Sequence, residues 1–245
     1  MHQLVKSIIT TFIDALSFWK SYMSHDFEAL RYKLIEQQIR PWNVSNLAVL
    51  ETLRQIPRET FVPEEQAILA FADTKLPLPH AKNASQTMLE PKMEARLLQA
   101  LEIKRSDKAL EVGAGSGYMA ALLANFAKSV TSVDIDPEMV TLAKSNLARA
   151  YISNVQVEVG DAYTGWGNQS YDIICVSGGM PSLYEGLKQQ LAVGGRLVAF
   201  VGVAPVMNAV LVTRHDATHF SEEVLFETMM PYLSSPKVKQ GDFHF

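Results

Sequence analysis

Leu110-Glu111-Val112-Gly113-Ala114-Gly115-Ser116-Gly117-Tyr118 decides the reading of the chain. An apolar run, Lys108–Val112, gives way to three glycines spaced by small residues, and an apolar helical segment comes next. Glycines at such a strand-to-helix turn let the backbone approach a ligand closely. The N–H groups that open the helix then point into the site. The spacing here is G-x-G-x-G. The dinucleotide fingerprint G-x-G-x-x-G needs glycine at position 118, where this chain has Tyr118, and this argues against a nicotinamide oxidoreductase. A plain turn can also be glycine-rich, so the weight falls on the strands to either side.

Outward from this loop the texture is regular. Further apolar runs lie at Ser129–Asp134, Val155–Val159, Tyr171–Val176 and Gly195–Val201, and helices are predicted between them at 117–127, 137–150 and 181–192. Alternation of this kind predicts a parallel sheet flanked by helices. Ala209–Arg214 and Glu223–Glu227 are too close in sequence for a crossover helix and read as an antiparallel hairpin at the sheet edge. Asp134 closes the second strand, with Ile135 beside it; a carboxylate there accepts ribose hydroxyls. Asp136, just before Pro137, is the better helix cap. Gly160-Asp161-Ala162 closes the third strand, where an acceptor and a backbone N–H suit adenine. Ser177-Gly178-Gly179 comes after the fourth. These elements sit at successive strand ends, along the edge where open α/β sheets bind ligands.

Upstream, Phe27, Leu30, Leu34 and Ile35 recur at helical spacing, and Leu47 to Ile56 predicts a second helix capped by Ser45 or Asn46. Glu64 to Phe71 predicts a third helical piece. Residues 72–91 read as a proline-bearing loop, and Lys92 to Leu101 as helix with Met93, Leu97, Leu98 and Leu101 on one face. In Met1 to Tyr22 the apolar run Ile8–Trp19 is broken by Asp14, and no cleavage site precedes Met23, which argues against a secretory signal. An amphipathic leader helix and a native start at Met23 both stay open.

Composition bounds the function. In 245 residues, 22 Lys+Arg stand against 26 Asp+Glu, a net charge of −4. That balance gives no electrostatic reason to expect a nucleic-acid partner, and Lys237-Val238-Lys239 is too short for a basic patch. The six histidines show no metal-ligand spacing, so no metal is expected. The one cysteine, Cys175, lies in an apolar strand and reads as core; this fits a reducing, cytoplasmic setting. No apolar stretch reads as a transmembrane helix.

The set Leu110 to Gly117, Asp134, Gly160-Asp161-Ala162 and Leu191-Ala192-Val193-Gly194-Gly195-Arg196-Leu197 resembles the class I S-adenosylmethionine-dependent methyltransferases. The resemblance implies an α/β, doubly wound, Rossmann-like sheet of seven strands, the last antiparallel, behind an N-terminal helical segment. It implies S-adenosyl-L-methionine as cofactor. Glu111, Gly113, Ala114, Gly115 and Gly117 would hold its methionine portion, Asp134 and Ile135 the ribose, and Asp161 and Ala162 the adenine; Ser177 would line the same edge. Trp166 and Tyr163, which follow Asp161 in sequence, pack near adenine, in the core or on the surface; all three stay open.

Gln37-Gln38-Ile39-Arg40, Arg58-Glu59-Thr60-Phe61-Val62-Pro63, Ala70-Phe71-Ala72-Asp73 and Leu76-Pro77 are similar to the protein-L-isoaspartate O-methyltransferases. The implied organisation is a leader (1–25), a helical lid with substrate loop (26–91), the methyltransferase domain (92–233) and a polar tail (234–245). The implied partners are isoaspartyl proteins, and the implied activity is carboxyl O-methylation in protein repair. Gln86-Thr87-Met88-Leu89-Glu90-Pro91 departs from that family in one place: Leu89 stands where the active-site serine belongs, and Ser85 is out of register. An isoaspartyl carboxylate is ionised well below neutral pH, since such groups titrate near about 3.9. It needs orientation rather than a strong base. Thr87 or a backbone N–H is then the candidate to orient it, with Asp73 at the family's loop aspartate. The Leu89 departure leaves two further readings open, another methyl acceptor such as a small metabolite, and a non-catalytic cofactor-binding relative.

Overall fold

The computed structural model describes residues 27–79, 81–82 and 86–235. The leader, His80, Ser85, His244 and Lys237-Val238-Lys239 lie outside the described residues. Helical residues 27–33 run on as a π-helical turn, Leu34–Ile39, and a 3₁₀ turn, Arg40–Trp42, which ends where Asn43 takes a left-handed conformation (φ 61°). Helix α1, Leu47–Gln55, is capped by Asn46, whose side chain accepts from Ala48 N and Val49 N. Two 3₁₀ segments come next, Arg58–Phe61 and Glu64–Phe71, the second where the third helical piece is expected.

A small antiparallel pair is formed by β1 (Leu76–Pro77) and β2 (Thr87–Met88). Helix α2, Pro91–Leu101, then leads into the main sheet. Its strands are β3 (Lys108–Val112), β4 (Ser129–Asp134), β5 (Val155–Val159), β6 (Tyr171–Met180), β7 (Leu191–Val203), β8 (Val206–Arg214) and β9 (Phe220–Thr228). Helices α3 (Tyr118–Phe126), α4 (Pro137–Arg149) and α5 (Glu185–Gln189) complete the chain. The strand order is β5-β4-β3-β6-β7-β8-β9. The five strands from β5 to β7 are mutually parallel; β8 runs against β7, and β9 runs against β8. The last strand is thus antiparallel to its neighbour, and through two reversals points the same way as the parallel five.

Alternation along the central strands explains why both sheet faces are covered. In β6, Ile173 and Cys175 pack in the core on the side of α1–α4, while Ile174 and Val176 pack in the core on the side of α5. A strand buried on both faces has to be apolar at consecutive positions, as this one is. Cys175 is fully buried, and burial pushes its thiol pKa up.

The helix expected at 181–192 is reduced to Glu185–Gln189, because the strands on either side are longer than their apolar runs. Strand β6 continues through Ser177-Gly178-Gly179 instead of turning. Gly179 N donates to Pro231 O (2.7 Å), and Leu233 N donates to Gly179 O (2.9 Å). A Cβ at Gly179 would lie 2.8 Å from Met230 O, so glycine is what lets the tail lie against this strand.

Candidate functional site

The carboxyl ends of β3, β4, β5 and β6 meet at one edge of the sheet. After β3 the chain turns through Gly113 (φ +94°) and Gly115 (φ +50°), conformations that side chains disfavour. Gly113 N is fixed to Val133 O (2.8 Å), and Gly115 N donates to Asp134 Oδ2 (3.0 Å). Asp136 N donates to Asp134 Oδ1 (2.9 Å). Burial raises the Asp134 carboxyl pKa above its ordinary value, and these backbone N–H groups oppose the rise. The two bonds use about half of the carboxylate's lone pairs. Asp136 caps α4 by accepting from Glu138 N, which leaves Asp134 to the site.

A cavity of about 120 Å³ lies over this loop. Gly113, Gly115, Asp134, Ile135, Asp161, Ala162 and Ser177 line it, together with Thr87 from β2. Asp161 Oδ1 accepts from Tyr163 N (3.0 Å), and its Oδ2 accepts from Ser235 Oγ (2.8 Å). Residues Met230 to Ser234 also line the cavity, and Leu78 of the β1–β2 hairpin reaches over Gly115. Lys82, in the same hairpin, pairs with Asp136 (2.7 Å) and ties this cover to the start of α4.

Two glycine-loop residues belong elsewhere. Gly117 (φ +83°) is not on the cavity wall; a Cβ there would stand 3.2 Å from the backbone of Ala143. Its role is the close approach of α3 to α4. Ala114 faces a second, smaller chamber beneath the loop. That chamber shares Thr87, Gly113, Gly115 and Ser177 with the first, and adds Leu89, Glu94, Glu111, Ser116 and Met119.

Two buried carboxyls border the chamber. Glu111 is fully buried and accepts from Ser132 Oγ and Ser177 Oγ. Burial pushes its pKa up to about 8, and the two hydroxyl donors pull the other way. Glu94 is 2% exposed, and burial pushes its pKa up to about 7 against the pull of Arg58. Arg58, equally buried, donates to Leu89 O (2.7 Å) and Ala70 O (3.4 Å), and its Nε stands 3.6 Å from Glu94 Oε2. One guanidinium thus joins the two 3₁₀ segments, Arg58–Phe61 and Glu64–Phe71, to the substrate loop. Reading for motifs overlooks Glu94, although a signal exists. It lies three, four and seven residues before Leu97, Leu98 and Leu101, on the stripe that faces the core.

Asp73 is not brought to either cavity. Its Oδ1 accepts from Lys92 N (3.0 Å) and its Oδ2 pairs with Lys92 Nζ (2.8 Å), so it clamps the loop to the first turn of α2. Tyr163 lines the cavity beside Ala162, whereas Trp166 packs behind it.

The residues present fit S-adenosylmethionine. Glycines hold the loop where a Cβ at Gly113 would meet Leu233 Cδ2 at 3.2 Å, and at Gly115 Leu78 Cδ1 at 3.3 Å. The half-buried Asp134 carboxylate, with spare lone pairs, stands at the neighbouring strand end, and the Asp161-Ala162 backbone stands at the next.

Comparison with known proteins agrees with this geometry. A family model described as protein-L-isoaspartate(D-aspartate) O-methyltransferase matches residues 29–234. The protein-L-isoaspartate O-methyltransferase 1 of Rhodopseudomonas palustris is 42% identical over 177 residues, which cover 72% of this chain and 71% of that protein. The protein-L-isoaspartate O-methyltransferase 2 of Marinobacter nauticus is 36% identical over 199 residues, or 80% and 89% of the two chains. A solved protein-L-isoaspartate O-methyltransferase superposes with a TM-score of 0.72 at 25% identity, over 84% of this chain and 66% of that one. A Plasmodium falciparum chain solved in complex with S-adenosyl-L-homocysteine shares the fold, with a TM-score of 0.69 at 21% identity over 85% and 98% of the two chains.

Proposed function

The chain belongs to the protein-L-isoaspartate(D-aspartate) O-methyltransferase family, and from that membership we propose that it methylates the free carboxylate of isoaspartyl residues in damaged proteins, as an act of repair. One observation of the site carries the reading beyond membership. The glycine-loop cavity and a second chamber bordered by Thr87, Met88 and Leu89 of the substrate loop share Thr87, Gly113, Gly115 and Ser177 in their walls. A cofactor on the loop and an acceptor in the chamber would meet at the residues the two spaces share.

S-adenosylmethionine, when bound, supplies an electrophilic methyl group on a sulfonium. The work left to the chain is placement and exclusion of water. The glycine loop and Asp134 hold the cofactor. Thr87, on the boundary, orients the acceptor carboxylate, which titrates near about 3.9 and arrives ionised without a general base. Leu78, Leu89 and Leu233 supply apolar cover, which favours transfer by stripping water from the carboxylate. Well-placed reactants of this kind account for about 7–11 kcal/mol of a barrier. A cytoplasmic location goes with this reading; the lone cysteine is buried, and among the described residues no helix is long and apolar enough to cross a membrane.

Labelled S-adenosylmethionine offered with paired peptides, one isoaspartyl and one aspartyl, tests the proposal. Transfer to the isoaspartyl peptide alone is expected. Equal transfer to both, or none from protein that binds S-adenosylhomocysteine, would refute it.

A further inference from the structure

We propose that Glu94, in its protonated form, donates a hydrogen bond to the acceptor carboxylate and is a positioning and specificity residue of this site. The inference rests on the isoaspartyl reading and identifies what replaces the hydroxyl that Leu89 lacks.

Glu94 is 2% exposed and borders the chamber, yet among the described residues nothing makes a hydrogen bond to its carboxyl group. Arg58 Nε, at 3.6 Å, is beyond the range of a charge-assisted hydrogen bond, about 2.7–2.9 Å. The terminal nitrogens of Arg58 are directed to Leu89 O and Ala70 O. A buried carboxyl that no hydrogen bond satisfies carries a large desolvation cost, which a ligand can relieve. Of the other groups that border the chamber, Ser177 donates to Glu111, Ser116 Oγ accepts from Tyr118 N, and the Leu89 side chain has no donor. Thr87 and Glu94 border it with no side-chain hydrogen bond among the described residues.

Charge decides the form Glu94 takes. Arg58, on the 3₁₀ segment, favours the ionised state. Burial opposes it, and so does the Asp73 carboxylate from the loop before β1. Glu111 of β3, Tyr118 of α3 and Cys175 of β6 also face it, and burial keeps all three protonated at neutral pH. The balance places its pKa at about 7, so the proton is held below neutral pH. Protonated, Glu94 is a donor to a carboxylate. Ionised, it repels one.

The test is calorimetric binding of an isoaspartyl peptide to protein saturated with S-adenosylhomocysteine, at pH 6 and pH 8.5. The peptide carboxyl is ionised at both. Wild-type affinity is expected to fall about thirtyfold between them, following the protonated fraction of a group with a pKa near 7. Glu94→Gln, whose amide donates at every pH, is expected to show no such fall, and Glu94→Ala to bind weakly at both. A wild-type affinity that does not change with pH, or a Glu94→Gln protein with the wild-type profile, would overturn the inference and leave the isoaspartyl reading standing. Wild-type protein that binds S-adenosylhomocysteine but no isoaspartyl peptide at either pH would overturn both. Wild-type affinity measured at several pH values between 6 and 8.5 needs no variant: a fall centred near pH 7 is expected, and one centred near pH 8, where Glu111 of the same chamber titrates, would overturn the inference.

Discussion

Glu111→Gln should make the protein more stable than wild type at alkaline pH and no more stable at acid pH. The Glu111 carboxyl is fully buried, and burial lifts its pKa from 4.5 to about 8. The folded state therefore keeps a proton that the unfolded chain has released. Between pH 4.5 and 8 folding takes up a proton, and stability falls as pH rises. The contribution is fully present below pH 4.5 and is lost as pH climbs through about 8. At about 1.4 kcal/mol per unit, with the slope halved where the group itself titrates, the wild type loses roughly 2 kcal/mol between pH 6 and 8 from this group alone.

Glutamine has the shape of the protonated acid and no proton to lose. Its carbonyl can accept from Ser132 Oγ and its amide can donate to Ser177 Oγ, so the exchange at pH 6 should cost no more than about 1 kcal/mol. Urea unfolding without cofactor, followed at pH 6 and pH 8.5, is the assay; ligand is omitted because it would add its own linkage. The two proteins should exchange order between these pH values, by about 2.5 kcal/mol in relative stability. Glu94 adds a slope of the same sign up to about pH 7 in both proteins, and it largely cancels in the comparison. Parallel curves would mean that Glu111 is ionised in the folded protein throughout, and would refute the reasoning.

Gly117→Ala combines left-handed strain, about 1–2 kcal/mol, with overpacking against Ala143, about 1–3 kcal/mol. Gly167→Ala, also at positive φ but with nothing within 4 Å, carries the strain alone. The first should lower Tm at least twice as much as the second by calorimetry, and equal losses would show that α3 and α4 do not meet at this glycine. Asp134→Asn puts an amide where a second backbone donor expects an acceptor; S-adenosylhomocysteine affinity should fall by about tenfold or more, and a Kd within threefold of wild type would exclude a cofactor role. Asp73→Ala should lower Tm by a few degrees, through loss of about 1–2 kcal/mol at the start of α2. Steady-state kinetics on the isoaspartyl peptide should be unchanged at pH 6, where Glu94 keeps its proton, and a large loss of kcat there would return Asp73 to the active site.

What could be read from the residues was local or periodic. The caps at Asn46 and Asp136 are legible because a side chain two residues before a helical N–H has few other uses. The cofactor edge is legible because parallel strands joined by helices bring their carboxyl ends together, so Gly113, Asp134 and Asp161 are neighbours once the order of elements is known. Distant pairing is what the residues conceal. No pattern in Ser177-Gly178-Gly179 announces that Met230 to Leu233 will lie against it, and the same three residues suit a turn equally well. Gly117 misleads for a related reason: the motif marks it for the ligand, while its missing Cβ makes room for Ala143. Asp73 follows the family pattern, yet its carboxylate is spent on Lys92, a partner 19 residues away.

Glu94 raises the question of why a carboxyl is kept under the substrate loop at all. Its helix is otherwise apolar on that side, with Met93, Ala95, Leu97 and Leu98 all buried. A leucine at 94 would continue the stripe. Buried ion pairs seldom repay their desolvation, and exchange for apolar residues is often neutral or stabilising. This pair is poorer than most, since at 3.6 Å neither Arg58 Nε nor Glu94 Oε2 has a hydrogen-bond partner. The contrast with Asp73 and Lys92 is direct, because that pair is joined at 2.8 Å and also satisfies a helix N–H. Asp73 is explained by the fold. Glu94 is not, and it borders a chamber whose roof lacks the hydroxyl of the family motif. A group that the fold does not need, placed where the acceptor has lost a contact, belongs to the chemistry of the acceptor.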